Sequence, residues 1–399
     1  NITVSGQTIT HSTGSSLDIL KLKTGSTGNI SVSATEPGGL TMGPFYYYES
    51  GTGSISIAAG GTIRLSNITS GGLLDISGVG LIEQYNGAAI STSQISVTAR
   101  DNATAGSGAI TLANLLNDAA TVKLVTRNAA NTAAGTGAIS YFDANAFSVA
   151  KIQSAGTVTL TSKGVISTAA SSALGTGSVE ANTLTVKTLN NSGAGVLLTA
   201  TDNNVATLNI SIRNAADTAT AGSTTSEDTN TGATGTIRYT DSNGFAVSSI
   251  STGASTVLTA GGSVTQSGAI QSTKLGLSGT GTFTLNLADT FSNPLNVVSV
   301  FASNATGAVT FTTLSALTIG SVNPDGITSG GAALRISKAR SSRPRKSGTK
   351  ISICVWGDSS RVRRMQSTKC WLPPSRKSSR STLVMTTYFS FRSAMVFAK

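Results

Sequence analysis

A single histidine, His11, is all that the chain offers as a base titrating near neutral pH, and its two cysteines, Cys354 and Cys370, lie in the last sixth. Nucleophilic catalysis of the Ser-His-Asp kind needs a base aligned on a hydroxyl, and a zinc site needs several Cys or His ligands close in space. His11 stands in a Ser/Thr-rich opening and reads as a surface side chain. The first 335 residues hold no other imidazole and no thiol. No catalytic, cofactor-binding or metal-ligating residue is assigned from the sequence, no cofactor is expected, and the chain reads as a non-enzyme.

Carboxylates are the next resource. Asp143 with Asn145 and Asp241 with Asn243 stand at matching places in two repeats, where clustered acids would suit polysaccharide cleavage or a calcium site. The third repeat has Thr313 and Ser315 there. The carboxylate is thus not what the unit requires, and Asp and Asn read as caps of a tight bend. Glu227 and Asp228, in an inserted stretch, read as part of a solvated loop. Gly-x-Gly pairs at Gly106/Gly108, Gly135/Gly137, Gly175/Gly177 and Gly279/Gly281 lack the third glycine of a dinucleotide fingerprint and lead into strands, so they read as turns. Phe45-Tyr46-Tyr47-Tyr48 is the densest aromatic run of the body. Such rings either stack on apolar sugar faces or fold back onto the protein.

The elements that would position these groups are set by a repeat. GAISYFDANAFSVAKI (137–152) returns without a gap as GTIRYTDSNGFAVSSI (235–250) and GAVTFTTLSALTIGSV (307–322). Upstream, ATVKLVTRNAANTA (120–133) returns as ATLNISIRNAADTA (206–219), an offset of 86, whereas Tyr141 and Tyr239 are offset by 98. The difference of 12 residues is an insertion near 220–231, a surface corner that tolerates a loop. Asn102, Asn128, Asn214 and Asn304 mark similar corners, at which an amide can bond the backbone or a like amide one coil on.

Short alternations such as Val158-x-Leu160, Leu184-x-Val186 and Leu208-x-Ile210-x-Ile212 have the period of two of half-buried strands. Gly and Thr recur too often for helices. The body is read as all-β. Strands of three to five residues bury no core alone but do so when stacked, with inward columns expected at Ile139/Ile237/Val309, Tyr141/Tyr239/Phe311, Phe147/Phe245/Leu317 and Val149/Val247/Ile319. At roughly 20–30 residues per coil the body would hold about 12–16 coils and reach about 60–75 Å. A string of antiparallel sandwiches would make residues 139–147 a hairpin, but only one copy has the Asn-Gly that such a turn wants, at Asn243-Gly244.

Pooled charge is +11, which suggests nucleic acid or membrane. Its distribution says otherwise: 13 basic against 16 acidic side chains up to Arg335, and 15 against 1 beyond it. Both Trp (Trp356, Trp371), both Cys and three of the four Met share that last segment. A change in every measure at one point is what a reading-frame shift or a spurious extension produces. The division expected is therefore 1–94, less regular solenoid coils; 95–335, solenoid repeats; and 336–399, a basic non-repeat tail, frameshifted or a spurious extension, and disordered or poorly folded. No nucleic-acid partner is expected. There is no run of about 18 apolar residues, hence no transmembrane helix, and no signal peptide opens the chain, which reads as an internal or processed piece.

The three modules, with linking strands such as LTAGGSVTQSGAI, resemble the repeat region of large bacterial exoproteins of the filamentous haemagglutinin type, adhesins released by two-partner secretion or as autotransporter passengers. The resemblance covers about 95–331. It implies a right-handed parallel β-helix, an adhesive or structural role outside the Gram-negative outer membrane, an outer-membrane secretion partner, and as ligands the glycans or proteins of host cells, matrix or neighbouring cells. A carbohydrate-active β-helix enzyme or phage tail-spike is the alternative.

Overall fold

The computed structural model describes residues 3–4, 8–13, 21–24, 27–34, 39–43, 46–223, 234–287, 295–328, 332–338 and 352–355. Every element named within them is a β-strand. The alternation seen in sequence becomes alternation of burial, as in Asn29–Ala34, where Ile30 and Val32 face inward while Asn29 is exposed. β-Branched side chains favour this half-buried pleated surface.

Except for Ser352–Val355, the named strands pair in parallel from one coil to the next. One ladder of Cα partners runs Leu40, Ile63, Ile82, Ile110, Ile139, Val158, Leu184, Leu208, Val247, every one buried. A second runs Phe147, Ile166, Val196, Ile237, Thr256, Leu275, Phe301, Ile319. This is the winding of a β-solenoid, in which stacked coils bury a continuous hydrophobic core that no coil could bury alone. Coil length varies: 19 residues separate Ile139 from Val158 and 26 separate Val158 from Leu184. The core fixes the strands and leaves the length of the connections open.

The repeat acquires a physical meaning here. In each copy the strand before the module pairs with the module's second strand: Val122 with Val149, Leu208 with Val247, Phe301 with Ile319. Each module, together with the strand before it, therefore completes one coil and stacks on that strand. The first two share a bulge at matching positions, between Val122 and Lys123 and between Leu208 and Asn209, so that Ala150 and Ser248 are the extra residues. The opening glycines are spatial requirements: a Cβ on Gly137 would stand 2.3 Å from the Gly108 carbonyl oxygen, and Gly235 has φ of +85°.

Two expectations need correction. Ile139, Ile237 and Val309 do not share a column: Ile139 lies in the first ladder and Ile237 in the second, above Phe147. The second module is turned onto the other face. Its inward positions are still buried, because alternation specifies inside and outside but carries no label for the face. Tyr141 and Tyr239 part in the same way, and so do Val149, which pairs with Val122 and Thr168, and Val247, which ends the first ladder, while Ile319 is 41% exposed.

Strand Ile90–Arg100 spans residue 94, with a bulge between Thr92 and Gln94 where it pairs with Asn67–Val79. The parallel ladder also continues slightly past Arg335, in Leu334–Lys338 on Val309–Thr313, with Ser352–Val355 on its far side.

Candidate functional site

The bend after strand Ile139–Asp143 shows what the module's carboxylate does. Asp143 is wholly buried. Its Oδ2 accepts from the Tyr141 hydroxyl at 2.6 Å and the Ala119 N–H at 2.9 Å, and its Oδ1 from the Asn145 N–H at 2.8 Å. Asp241 repeats the arrangement with Tyr239 at 2.6 Å, Val205 N–H at 3.0 Å and Asn243 N–H at 2.8 Å. In the third copy Phe311 brings no hydroxyl, and Thr313 Oγ1 takes the N–H groups of Val298 at 3.2 Å and Ser315 at 3.3 Å. The backbone duties are kept, and the carboxylate appears where a phenol needs an acceptor.

Burial pushes the Tyr141 hydroxyl up, with the neighbouring Asp143 adding to it, and does the same for Tyr239 beside Asp241. Burial also raises the Asp143 carboxyl, against the pull of its three donors. The phenol rings pack edge-on against Phe147 and Phe245, with centroids 5.3 and 5.1 Å apart. Leu317 replaces that ring in the third copy, where Phe311 stacks on Phe301 instead.

Beneath each bend lies a buried asparagine: Asn117, Asn203 and Asn296. Asn203 Nδ2 donates to the carbonyls of Leu198 at 3.1 Å and Thr240 at 2.8 Å, while its Oδ1 accepts the Val179 N–H at 2.7 Å. Asn296 does the same with Leu285, Thr312 and Ile270. Asn117 bonds the Leu112 carbonyl and the Ile90 N–H, with Gln84 in place of the second carbonyl. The amides of Asn203 and Asn296 tie three coils together and that of Asn117 two, each offsetting the desolvation of groups that the bend would strand. Sequence reading passed over these three residues, although the 86-residue offset that matches Leu112 to Leu198 also matches Asn117 to Asn203.

The asparagines that it did single out are surface residues. Asn128 Oδ1 accepts from the N–H groups of Thr132 and Ala133, and Asn214 Oδ1 from Thr218 and Ala219. Arg127 closes the first loop on Asn131, and Arg213 the second on Asp217, both closing residues having φ of +56°. Asp217 also pairs with Lys187 at 2.7 Å, and these two cations hold its carboxyl below the ordinary range, Lys187 foremost. Asn304 is not equivalent: the third copy has a shorter connection there, and its N–H goes to the Leu277 carbonyl. Asn102 caps a turn through Thr104.

Of the aromatic run, Tyr46 and Tyr48 are buried, Tyr47 is 51% exposed, and Phe45 lies outside the described residues. Burial pushes the Tyr48 hydroxyl up to about 12. The run thus folds its rings mainly into the wall. Leu115 and Leu116 protrude at 60% and 57% exposure, while Thr201 and Asp202 occupy the same turn one module on. His11 lies in strand Thr8–Thr13, paired with Val32. Glu227, Asp228, Cys370, Trp356 and Trp371 fall outside the described residues.

Among the described residues no three His, Cys, Asp or Glu side chains gather as a cation site, and no helix is long and apolar enough to cross a membrane. Asp143 and Asp241, the candidate carboxylates, are brought into equivalent surroundings but on different ladders, each engaged by its own bend. No family model, curated protein or solved structure matches the chain.

Proposed function

We propose that the chain is part of a secreted, cell-surface adhesin or structural exoprotein, a non-catalytic rod built as a right-handed parallel β-helix of the filamentous haemagglutinin type. Its ligands would be glycans or proteins of host cells, matrix or neighbouring cells, and its export would use an outer-membrane partner. One observation carries this reading: the modules keep their coil-closing pairs and buried bends while the connection between them changes length. From Val122 to Val149 is 27 residues, from Leu208 to Val247 is 39, and from Phe301 to Ile319 is 18. A constant wall with variable loops is how a scaffold presents contact surface. The carboxylates that a carbohydrate-cleaving relative would use are acceptors inside the wall, which weighs against that alternative.

The test is adhesion by the purified chain. Beads coated with it are scored on epithelial cells, matrix proteins and a glycan array, beside a variant in which residues 214–234 are replaced by residues 128–136. Retained adhesion by the intact chain with at least a fivefold loss in the variant supports the reading. Equal adhesion by both overturns the loop assignment, and release of reducing ends from a polysaccharide by the intact chain overturns the non-catalytic one.

A further inference from the structure

We propose that Ser352–Val355 is an end cap, a strand held in cis that closes the last rung of the solenoid against pairing with a second copy of the chain. Among the strand pairs of the described residues it forms the one that is antiparallel: Leu334 opposite Val355, Arg335 opposite Cys354, Ile336 opposite Ile353 and Ser337 opposite Ser352. All other named pairs are parallel, because winding always brings the chain round in the same direction. A strand that arrives in reverse is not a further coil, because each turn of the winding runs parallel to the one before.

The position matters as much as the direction. Leu334–Lys338 has Val309–Thr313 on one edge, so without the cap its other edge would present a row of unpaired N–H and C=O groups at the tip of a rod. Such an edge accepts an extended strand whatever its sequence. In a chain made of coils at one common spacing, the occupant that fits is the same chain, docking end to end. The segment 352–355, Ser-Ile-Cys-Val, has the β-branched residues that pairing favours. The tail, expected to be foreign to the fold, thus contributes one strand to it.

This inference does not depend on the adhesin reading. The test compares the full chain with one ending at Lys338, by light scattering from 1 to 100 µM and by amide hydrogen exchange at Leu334–Lys338. The truncated chain is expected to gain mass with concentration, and in dilute solution its terminal-strand amides exchange at least tenfold faster than those of the full chain. A truncated chain that keeps the β circular dichroism yet stays monomeric overturns the proposal, as does equally fast exchange in both. If the truncated chain does not fold, full-length Ile353→Pro decides. Faster exchange confined to Leu334–Lys338 supports the cap, and unchanged exchange there overturns it.

Discussion

Tyr141 and Asp143 depend on each other. The phenol needs an acceptor in the core and the carboxylate needs donors, while Phe311 and Thr313 show the bend built without either group. Asp143→Ala strands a hydroxyl and two N–H groups and should cost about 3 kcal/mol. Tyr141→Phe alone should cost about 1–2 kcal/mol, and the Tyr141→Phe/Asp143→Thr pair should return most of the loss, a coupling that urea midpoints of the four proteins measure. The pH dependence follows from the raised carboxyl. The folded chain keeps this proton where the unfolded chain has released it, so the Asp143 contribution to stability grows as pH falls from neutrality through the raised value and levels off below the ordinary one. The rise in midpoint between pH 7 and pH 4 should shrink in the double variant. Thr256 is a simpler case: it is buried in the second ladder between Ile237 and Leu275, and its hydroxyl has no partner. Thr256→Val should raise stability by about 1 kcal/mol, read as an upward shift of the thermal midpoint. The bend-capping role of Asp143 was legible from its loss at Thr313. The Tyr–Asp bond was not, because a carboxylate beside a bend reads as turning to water, although the period of two sets Tyr141 and Asp143 on one face.

Strands were the most legible elements, since alternation of Val, Ile and Leu with Ser and Thr records directly which side faces the core. Their assignment to faces was not legible, and the second module shows why: Ile237 fits the ladder of Phe147 and Val196 as well as Ile139 fits that of Ile110. Corners misled for a related reason. Asn128, Asn214 and Asn304 share neighbours in sequence, yet only the first two close a loop on an arginine, while the amides that bind coils together are Asn117, Asn203 and Asn296. The loops themselves should be exchangeable. Replacing residues 128–136 by residues 304–306 joins the same two ladders by a shorter path and should leave the β circular dichroism intact, with a loss below about 1 kcal/mol. A fall several times larger would show that the Arg127 loop carries part of the coil.

The molecule is as long as its ladder. From strand Thr3–Val4 the pairings step through the strands that hold Lys21, Tyr47, Asn67, Ile90, Asp118, Ser148, Ile166, Val196, Ile237, Thr256, Leu275, Phe301 and Ile319, thirteen steps in all. At about 4.8 Å each this is about 62 Å. Small-angle X-ray scattering should return a rod-like profile with a maximum dimension of at least that value, and a globular profile would contradict the stacking. Coil count and length were legible because they need only residue number and strand spacing. The antiparallel closing strand was not, since its sequence carries no trace of the repeat. The self-closing module also bears on descent. A segment that begins and ends one turn apart, with its last strand already matched to its first, can be copied by unequal recombination and inserted at any rung without new surfaces having to be fitted, even when the copy starts on another ladder. Lengthening such a gene is a neutral event, and selection is left to act on what the spare connections become.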